Sequence, residues 1–142
     1  MDSAQPFSYH QIWKSSDVTN RVVVAVDDDF RVRDSIARLA ASAGLEVVVF
    51  PSAEEVLLSG VLARADCLIT DVRMPGMDGL ELRRQALTGY PKLPVIMISA
   101  HVDEAVRQRS LKEGVFEFLY KPFDGEELLR AIQKALEQTP EQ

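Results

Sequence analysis

The chain is short of cysteine, of positive charge and of long apolar runs, and each shortage removes a class of function. With one cysteine, Cys67, no intrachain disulfide can form, which fits a reducing cytoplasm. Lys and Arg number 16 against 22 Asp and Glu, so the formal charge is −6 and the pI near 4.9. An acidic chain with no basic block is a poor nucleic-acid binder on its own. No apolar run approaches the ~20 residues that cross a bilayer, so no membrane role is expected. The opening stretch, MDSAQPFSYHQIWKSSDVTN, lacks the continuous apolar core of a signal peptide. Internal repeats and low-complexity segments are missing too. What remains is 46% hydrophobic and 27% charged over 142 residues. That is enough for one cytoplasmic domain with a real core.

Within that ordinary composition, VVVAVDDDF at 22–30 stands out. Five small apolar residues run into three adjacent carboxylates, Asp27, Asp28 and Asp29. Like charges repel, and burying one ionised carboxylate without a partner is costly. Either the three face water, or something positive sits among them. Taken alone, the run reads as a solvated strand-end turn.

Short apolar runs recur at Val22–Val26, Glu46–Phe50, Cys67–Thr70, Val95–Ile98 and Val115–Leu119. Longer segments with helical spacing separate them. Val32, Ile36, Leu39, Ala40 and Ala43 form one face, closed by Gly44. Ser52-Ala53-Glu54-Glu55 reads as a capping box opening a second helix through Val56, Leu57 and Val61. A third helix is expected from Asp78 to Leu87 and a fourth from Asp103 to Glu113, ended by Gly114. Asp124-Gly125-Glu126-Glu127 opens a fifth, with Leu128, Leu129, Ile132 and Leu136 inward.

Alternation of strands and helices implies parallel pairing with helices on both sheet faces, and strands of nearly unbroken Val, Ile and Leu suit a sheet covered twice. The expected fold class is a doubly wound α/β domain with five strands and five helices. Residues 1–20 form an N-terminal extension containing Tyr9 and Trp13, 21–138 the domain, and 139–142 a tail or linker start. In such sheets ligands bind outside the carboxyl ends of the strands. Asp27, Asp28 and Asp29 follow the first strand, Asp71 the third, Ser99 and Ala100 the fourth, and Lys121 and Pro122 the fifth. The second strand ends in Phe50-Pro51, as expected of an outer strand away from the site.

Carboxylates from neighbouring strands suit a hard divalent cation, magnesium or calcium. A hydroxyl and an ammonium opposite them suit a phosphoryl group. An Asp in that setting can act as a nucleophile, because a metal lowers the repulsion between its carboxylate and an incoming phosphate.

The motifs VDDD (26–29), LITDVRMPGMDGLEL (68–82), VIMISAH (95–101) and FEFLYKPFDGEEL (116–128) resemble the receiver domain of bacterial two-component response regulators, over about residues 21 to 138. The resemblance implies a flavodoxin-like sheet of strand order 2-1-3-4-5 and a Mg2+-dependent, non-enzymatic phosphoacceptor switch. It implies Asp71 as the phosphoacceptor. Asp27 and Asp28 become the acidic pair organising Mg2+, Asp28 favoured as the direct ligand, with the backbone carbonyl of Arg73 completing the protein's share. Ser99 takes the place of the switch hydroxyl and Phe118 that of the switch aromatic, where many receivers carry Tyr. Lys121 matches the family's lysine, with Pro122 following in a cis bond. Arg73 and His101 occupy the positions that tune phosphoryl lifetime, and Asp29 is a solvated turn residue.

The implied donor is a sensor histidine kinase or a phosphotransfer protein. The implied readout is a changed surface on the fourth helix, fifth strand and fifth helix, which can also make a homodimer. FPSAEEVL and KPFDGEEL resemble receivers of the FixJ/NarL transcription-factor class, so the chain is expected to be a single-domain receiver or the N-terminal part of a transcriptional regulator. Two rivals remain open. A haloacid-dehalogenase-type phosphatase would use the D-x-D of Asp27 and Asp29, with Asp27 as nucleophile. A degenerate receiver would act only as a binding module. Singly, Ser99, Lys121 and His101 read as ordinary surface or strand-end residues and Cys67 as a small core residue. Phe116 and Phe118 share a strand parity, so at least one is expected in the core.

Overall fold

The computed structural model describes residues 20–138. Residues 1–19, with Tyr9 and Trp13, and the tail 139–142 lie outside the described residues. The elements are β1 (Val22–Val26), α1 (Phe30–Ser42), β2 (Glu46–Phe50), α2 (Ala53–Ser59), a 3-10 turn (Val61–Arg64), β3 (Cys67–Asp71), α3 (Gly79–Gly89), β4 (Val95–Ser99), α4 (Glu104–Glu113), β5 (Glu117–Tyr120) and α5 (Gly125–Gln138). The five strands pair in parallel in the order β2-β1-β3-β4-β5, the doubly wound topology expected. Its strand order reverses between β1 and β3, which opens a crevice at their carboxyl ends.

Alternation along the central strands divides the core in two. Val23, Ala25, Ile69, Ile96, Ile98 and Leu119 pack with α1 and α5; Val24, Val26, Leu68, Met97 and Phe118 pack on the other face with α2 and α3. Helix α5 buries Leu128, Leu129, Ile132 and Leu136, each 1% exposed or less. Burial of such a side chain contributes roughly 1.5–3 kcal/mol, so α5, and the β5–α5 loop carrying Lys121, is firmly seated. Cys67 is fully buried, and loss of solvation raises its thiol pKa to about 12.

Most helix starts follow from side-chain caps. Asp29, Ser52, Asp78 and Asp103 each accept a backbone N–H from the first turn of α1, α2, α3 and α4 respectively. Asp29 is therefore a helix cap with a role of its own, not a free turn residue.

Several expected boundaries move. Gly60, at φ +75°, ends α2 before Val61, which begins the 3-10 turn instead of closing the helix. Strand β5 starts at Glu117, not Val115. The Val115 N–H donates to Ser110 to finish the turn after α4, and the Phe116 N–H reaches Val95 at 2.8 Å. Phe116 and Phe118 therefore do not share a face, although the expectation that at least one lies in the core holds through Phe118. Phe116 precedes the strand and packs on the α1–α5 side, while Phe118 is buried on the opposite face.

Candidate functional site

Three of the strand ends deliver carboxylates and a cation to one point. Asp27 follows β1 with its side chain 1% exposed, Asp71 ends β3 at 8%, and Lys121 follows β5 at 15%. Lys121 Nζ lies 2.8 Å from Asp27 Oδ2 and 3.2 Å from Asp71 Oδ2. This ammonium is the positive group among the negative ones. Its pKa is raised: burial disfavours the charge, but the two carboxylates outweigh burial. Asp71 moves upward as well, through burial first and the charge of Asp27 second, against the pull of Lys121 and the Arg73 N–H.

Carboxylate oxygens of Asp27, Asp28 and Asp71 lie within 4.8 Å of one another, with Asp28 exposed at the mouth. Three carboxylates against one contacting ammonium leave two negative charges uncompensated. Asp27 Oδ2 is buried and accepts no aligned hydrogen bond, the Lys121 contact being one of charge. An all-oxygen donor set with that charge fits a hard divalent cation.

The backbone is built to bring Asp71 close. The Thr70 hydroxyl donates to the Asp71 carbonyl at 2.9 Å, and the Val72 N–H reaches Ile98 on β4. The first residue of α3, Gly79, packs against the same carbonyl, and any Cβ there would collide with it. On the β1 side, Asp27 Oδ1 accepts the Asp29 N–H at 2.9 Å, and the Arg33 guanidinium donates to the Asp27 carbonyl at 2.9 Å. Neither Arg33 nor Thr70 was singled out in the sequence, where nothing distinguishes them from a surface arginine and a strand threonine.

The remaining expected site residues are placed as follows. Ser99, 3% exposed, ends β4 beside Asp71 in the strand order, but its hydroxyl is turned into its own loop. It donates to the His101 carbonyl at 3.2 Å and accepts the His101 N–H at 3.1 Å. His101 is exposed. Arg73 is also exposed and reaches Asp103, the α4 cap, at 3.8 Å. Phe118 is buried, 8% exposed, with Tyr120 edge-on at 5.5 Å. The Lys121–Pro122 bond is cis. A shallow depression of about 460 Å3 beside Lys121 is lined by Asp29, Arg31, Ser35, Ala100, Pro122 and Phe123.

This geometry disfavours the D-x-D phosphatase. Asp27 is enclosed behind Lys121, and Asp29 is turned away to cap α1 and pair with Arg31 at 3.3 Å. Residues 23–133 match the response regulator receiver domain family. The chain belongs to that family. As a receiver domain it is 40% identical to nodulation protein W of Bradyrhizobium diazoefficiens over 84% of the chain and 52% of that protein. It is 40% identical to the response regulator protein TodT of Pseudomonas putida over 85% of the chain and 53% of that protein. It is 39% identical to the DNA-binding transcriptional regulator NtrC of Salmonella typhimurium over 85% of the chain, but only 26% of that protein. The receiver thus spans a quarter to a half of these relatives. Among solved structures, a receiver domain protein from Clostridium thermocellum superposes with a TM-score of 0.77 at 28% identity, covering 83% of this chain and 95% of the other. Chemotaxis protein CheY4 of Vibrio cholerae gives 0.76 at 31% identity, covering 83% and 100%. The chain is therefore a signal-transduction module of the two-component type, and receivers are regulatory domains.

Proposed function

We propose that Asp71 is the phosphoacceptor of this receiver, and that the observation carrying the assignment is its carboxylate at the end of β3, clustered with Asp27 and Asp28 and 3.2 Å from the Lys121 ammonium. Asp27, Asp28, Asp71 and the Arg73 carbonyl would hold Mg2+, which supplies the positive charge that lets a phosphoryl group approach three carboxylates. Calcium would meet the same oxygen donors, but a site of few carboxylates that shares its cation with phosphate oxygens suits magnesium better.

The donor is a phosphohistidine on a sensor kinase or a phosphotransfer protein. A carboxylate oxygen of Asp71 attacks phosphorus as the P–N bond breaks. The electron pair leaves with the imidazole nitrogen, which takes up a proton. Lys121 lies within reach of the Asp71 carboxylate and balances charge as the phosphoryl group arrives. The burial of Asp71 keeps competing water from most of its surface. Arg73 and His101, both exposed, would set how readily water later attacks the acyl phosphate.

Switching follows from the hydroxyl of Ser99 exchanging its bond to the His101 carbonyl for a phosphoryl oxygen. That exchange pulls on the β4–α4 loop, whose Asp103 caps α4. Among α4's side chains only Ser110 is fully buried, so the helix can be repositioned at small cost in apolar burial, with Phe118 repacking beneath it. The phosphoryl group shifts populations between two arrangements in proportion to its differential contacts with them. The output surface is α4, β5 and α5, used by a second copy or by an attached or separate output module. The name of NtrC, a DNA-binding transcriptional regulator, supports an attached module that acts on transcription in the cytoplasm. Direct nucleic-acid or membrane binding by the receiver itself is not part of this reading.

Borohydride trapping tests the acceptor. Reduction of the acyl phosphate leaves homoserine at the acceptor, and peptide mapping should find it at position 71. Homoserine at position 27 or 28 would overturn the assignment.

A further inference from the structure

We propose that Glu54, at the start of α2, is a positioning residue that fixes the β3–α3 loop for cation binding. The inference rests on the reading of Asp71 and its neighbours as the Mg2+ site. The loop from Val72 to Asp78 leaves the acceptor and carries the Arg73 carbonyl. Its two ends are tied to the fold: the Val72 N–H to β4, and the Gly79 N–H to the Val72 carbonyl at 2.9 Å. Between them the chain turns at Gly76, with φ +78°, a conformation that costs residues other than glycine strain.

At that corner Glu54 Oε2 accepts the Met77 N–H at 2.8 Å, across 23 residues of sequence. Among the hydrogen bonds and ion pairs of the described residues, only the Arg73–Asp103 pair otherwise ties a side chain of this loop to a more distant element, and it acts through a long exposed arginine at 3.8 Å. The fit at the corner is close. A Cβ on Gly76 would sit 2.6 Å from Glu54 Oε2, so the glycine both makes the turn and leaves room for the carboxylate. The bond favours the ionised form and holds the Glu54 pKa below the ordinary glutamate range.

Glu54 also meets its own backbone N–H in the first turn of α2, but that contact is secondary to the Met77 bond. The α2 cap is Ser52, which accepts the Glu55 N–H at 3.2 Å. Glu54 sits in the first turn of α2, and its side chain crosses to a different loop. Freed from it, the outer half of the loop would sample more conformations, and the Arg73 carbonyl would reach the cation position in fewer of them. The expected consequence is weaker Mg2+ binding with little change in the metal-free fold, because the bond is solvent-exposed.

The test is calorimetric Mg2+ titration of the wild-type chain, Glu54→Ala and Glu54→Gln, with urea unfolding of each in metal-free buffer. The Gln side chain keeps a carbonyl acceptor for Met77. Glu54→Ala should raise the Mg2+ Kd about five-fold, below the ~10–100-fold typical of a partner bonded directly to a metal ligand. Glu54→Gln should stay near wild type, and the metal-free unfolding midpoint of Glu54→Ala should fall only slightly, since the lost bond is solvent-exposed. Unchanged Mg2+ affinity in Glu54→Ala beside a binding wild type would overturn the positioning role alone. So would equal weakening in both variants, which would point to the charge and not the loop bond. Failure of the wild-type chain to bind Mg2+ would overturn this inference together with the cation site on which it rests.

Discussion

Replacing Lys121 with methionine isolates the charge at the centre of the site, because methionine keeps most of the apolar stem and removes only the ammonium. The lost attractions are large in gross terms. At 2.8 and 3.2 Å and an effective dielectric near 20, they amount to about 6 and about 5 kcal/mol. Dehydrating the ammonium offsets several kcal/mol of that sum. Removing one partner from a buried ionic cluster, with the others left uncompensated, costs about 3–5 kcal/mol net. We take about 3 kcal/mol, since Asp28 at the mouth is exposed and water reaches that side. For a domain of this size the melting temperature should fall by about 10 °C. The assay is urea unfolding and calorimetry of wild type and Lys121→Met in chelator-treated buffer, repeated with saturating Mg2+. A cation binding the same carboxylates competes with the ammonium, so by linkage the variant should gain more from Mg2+ than wild type does. The stability gap should narrow as Mg2+ rises. A variant as stable as wild type without metal, or a gap that widens with Mg2+, would refute the reasoning.

Asp71→Asn should raise metal-free stability at pH 7. The pKa of Asp71 is raised in the fold above its ordinary 3.8, so between those values the folded chain binds more protons than the unfolded one, and stability falls as pH rises through that window. The penalty is full above the window and absent below about pH 3.8, so the Asn variant's advantage in urea unfolding should shrink towards zero in acid; an advantage that persists there would contradict the burial argument. Gly79→Ala should destabilise the domain by about 1–3 kcal/mol, the usual cost of overpacking, and slow phosphorylation by acetyl phosphate, since the methyl would strike the Asp71 carbonyl. Wild-type phosphorylation in that variant would mean the acceptor strand is not fixed by this contact.

The strands and their parallel pairing were legible because parallel strands covered on both faces read as apolar runs, and because each helix between them opens on Asp or Ser; their order 2-1-3-4-5 was implied only by the receiver motifs, since apolar runs do not say which strand lies beside which. The convergence of Asp27, Asp71 and Lys121 was legible for a related reason. A polar residue directly after a buried run must lie at the sheet's carboxyl edge, whatever the intervening loops do. Boundaries set by backbone bonds were less visible. Nothing in Val115-Phe116 reveals that those residues complete the turn after α4 instead of starting β5. The contact of Glu54 was hidden by its neighbours, because Ser52-Ala53-Glu54-Glu55 is already explained as a helix start, and one-dimensional spacing does not show that Gly76 turns beneath it. The orientation of Ser99 towards its own loop is likewise a property of the loop's path, not of any residue pattern.

The most direct test of the account is intact-mass spectrometry after incubation with acetyl phosphate, with and without Mg2+, on wild type and Asp71→Asn. One phosphoryl adduct that requires Mg2+ and is absent from the variant is the predicted result. An adduct that persists in Asp71→Asn, or forms equally without Mg2+, would contradict Asp71 as the acceptor in a cation-dependent site.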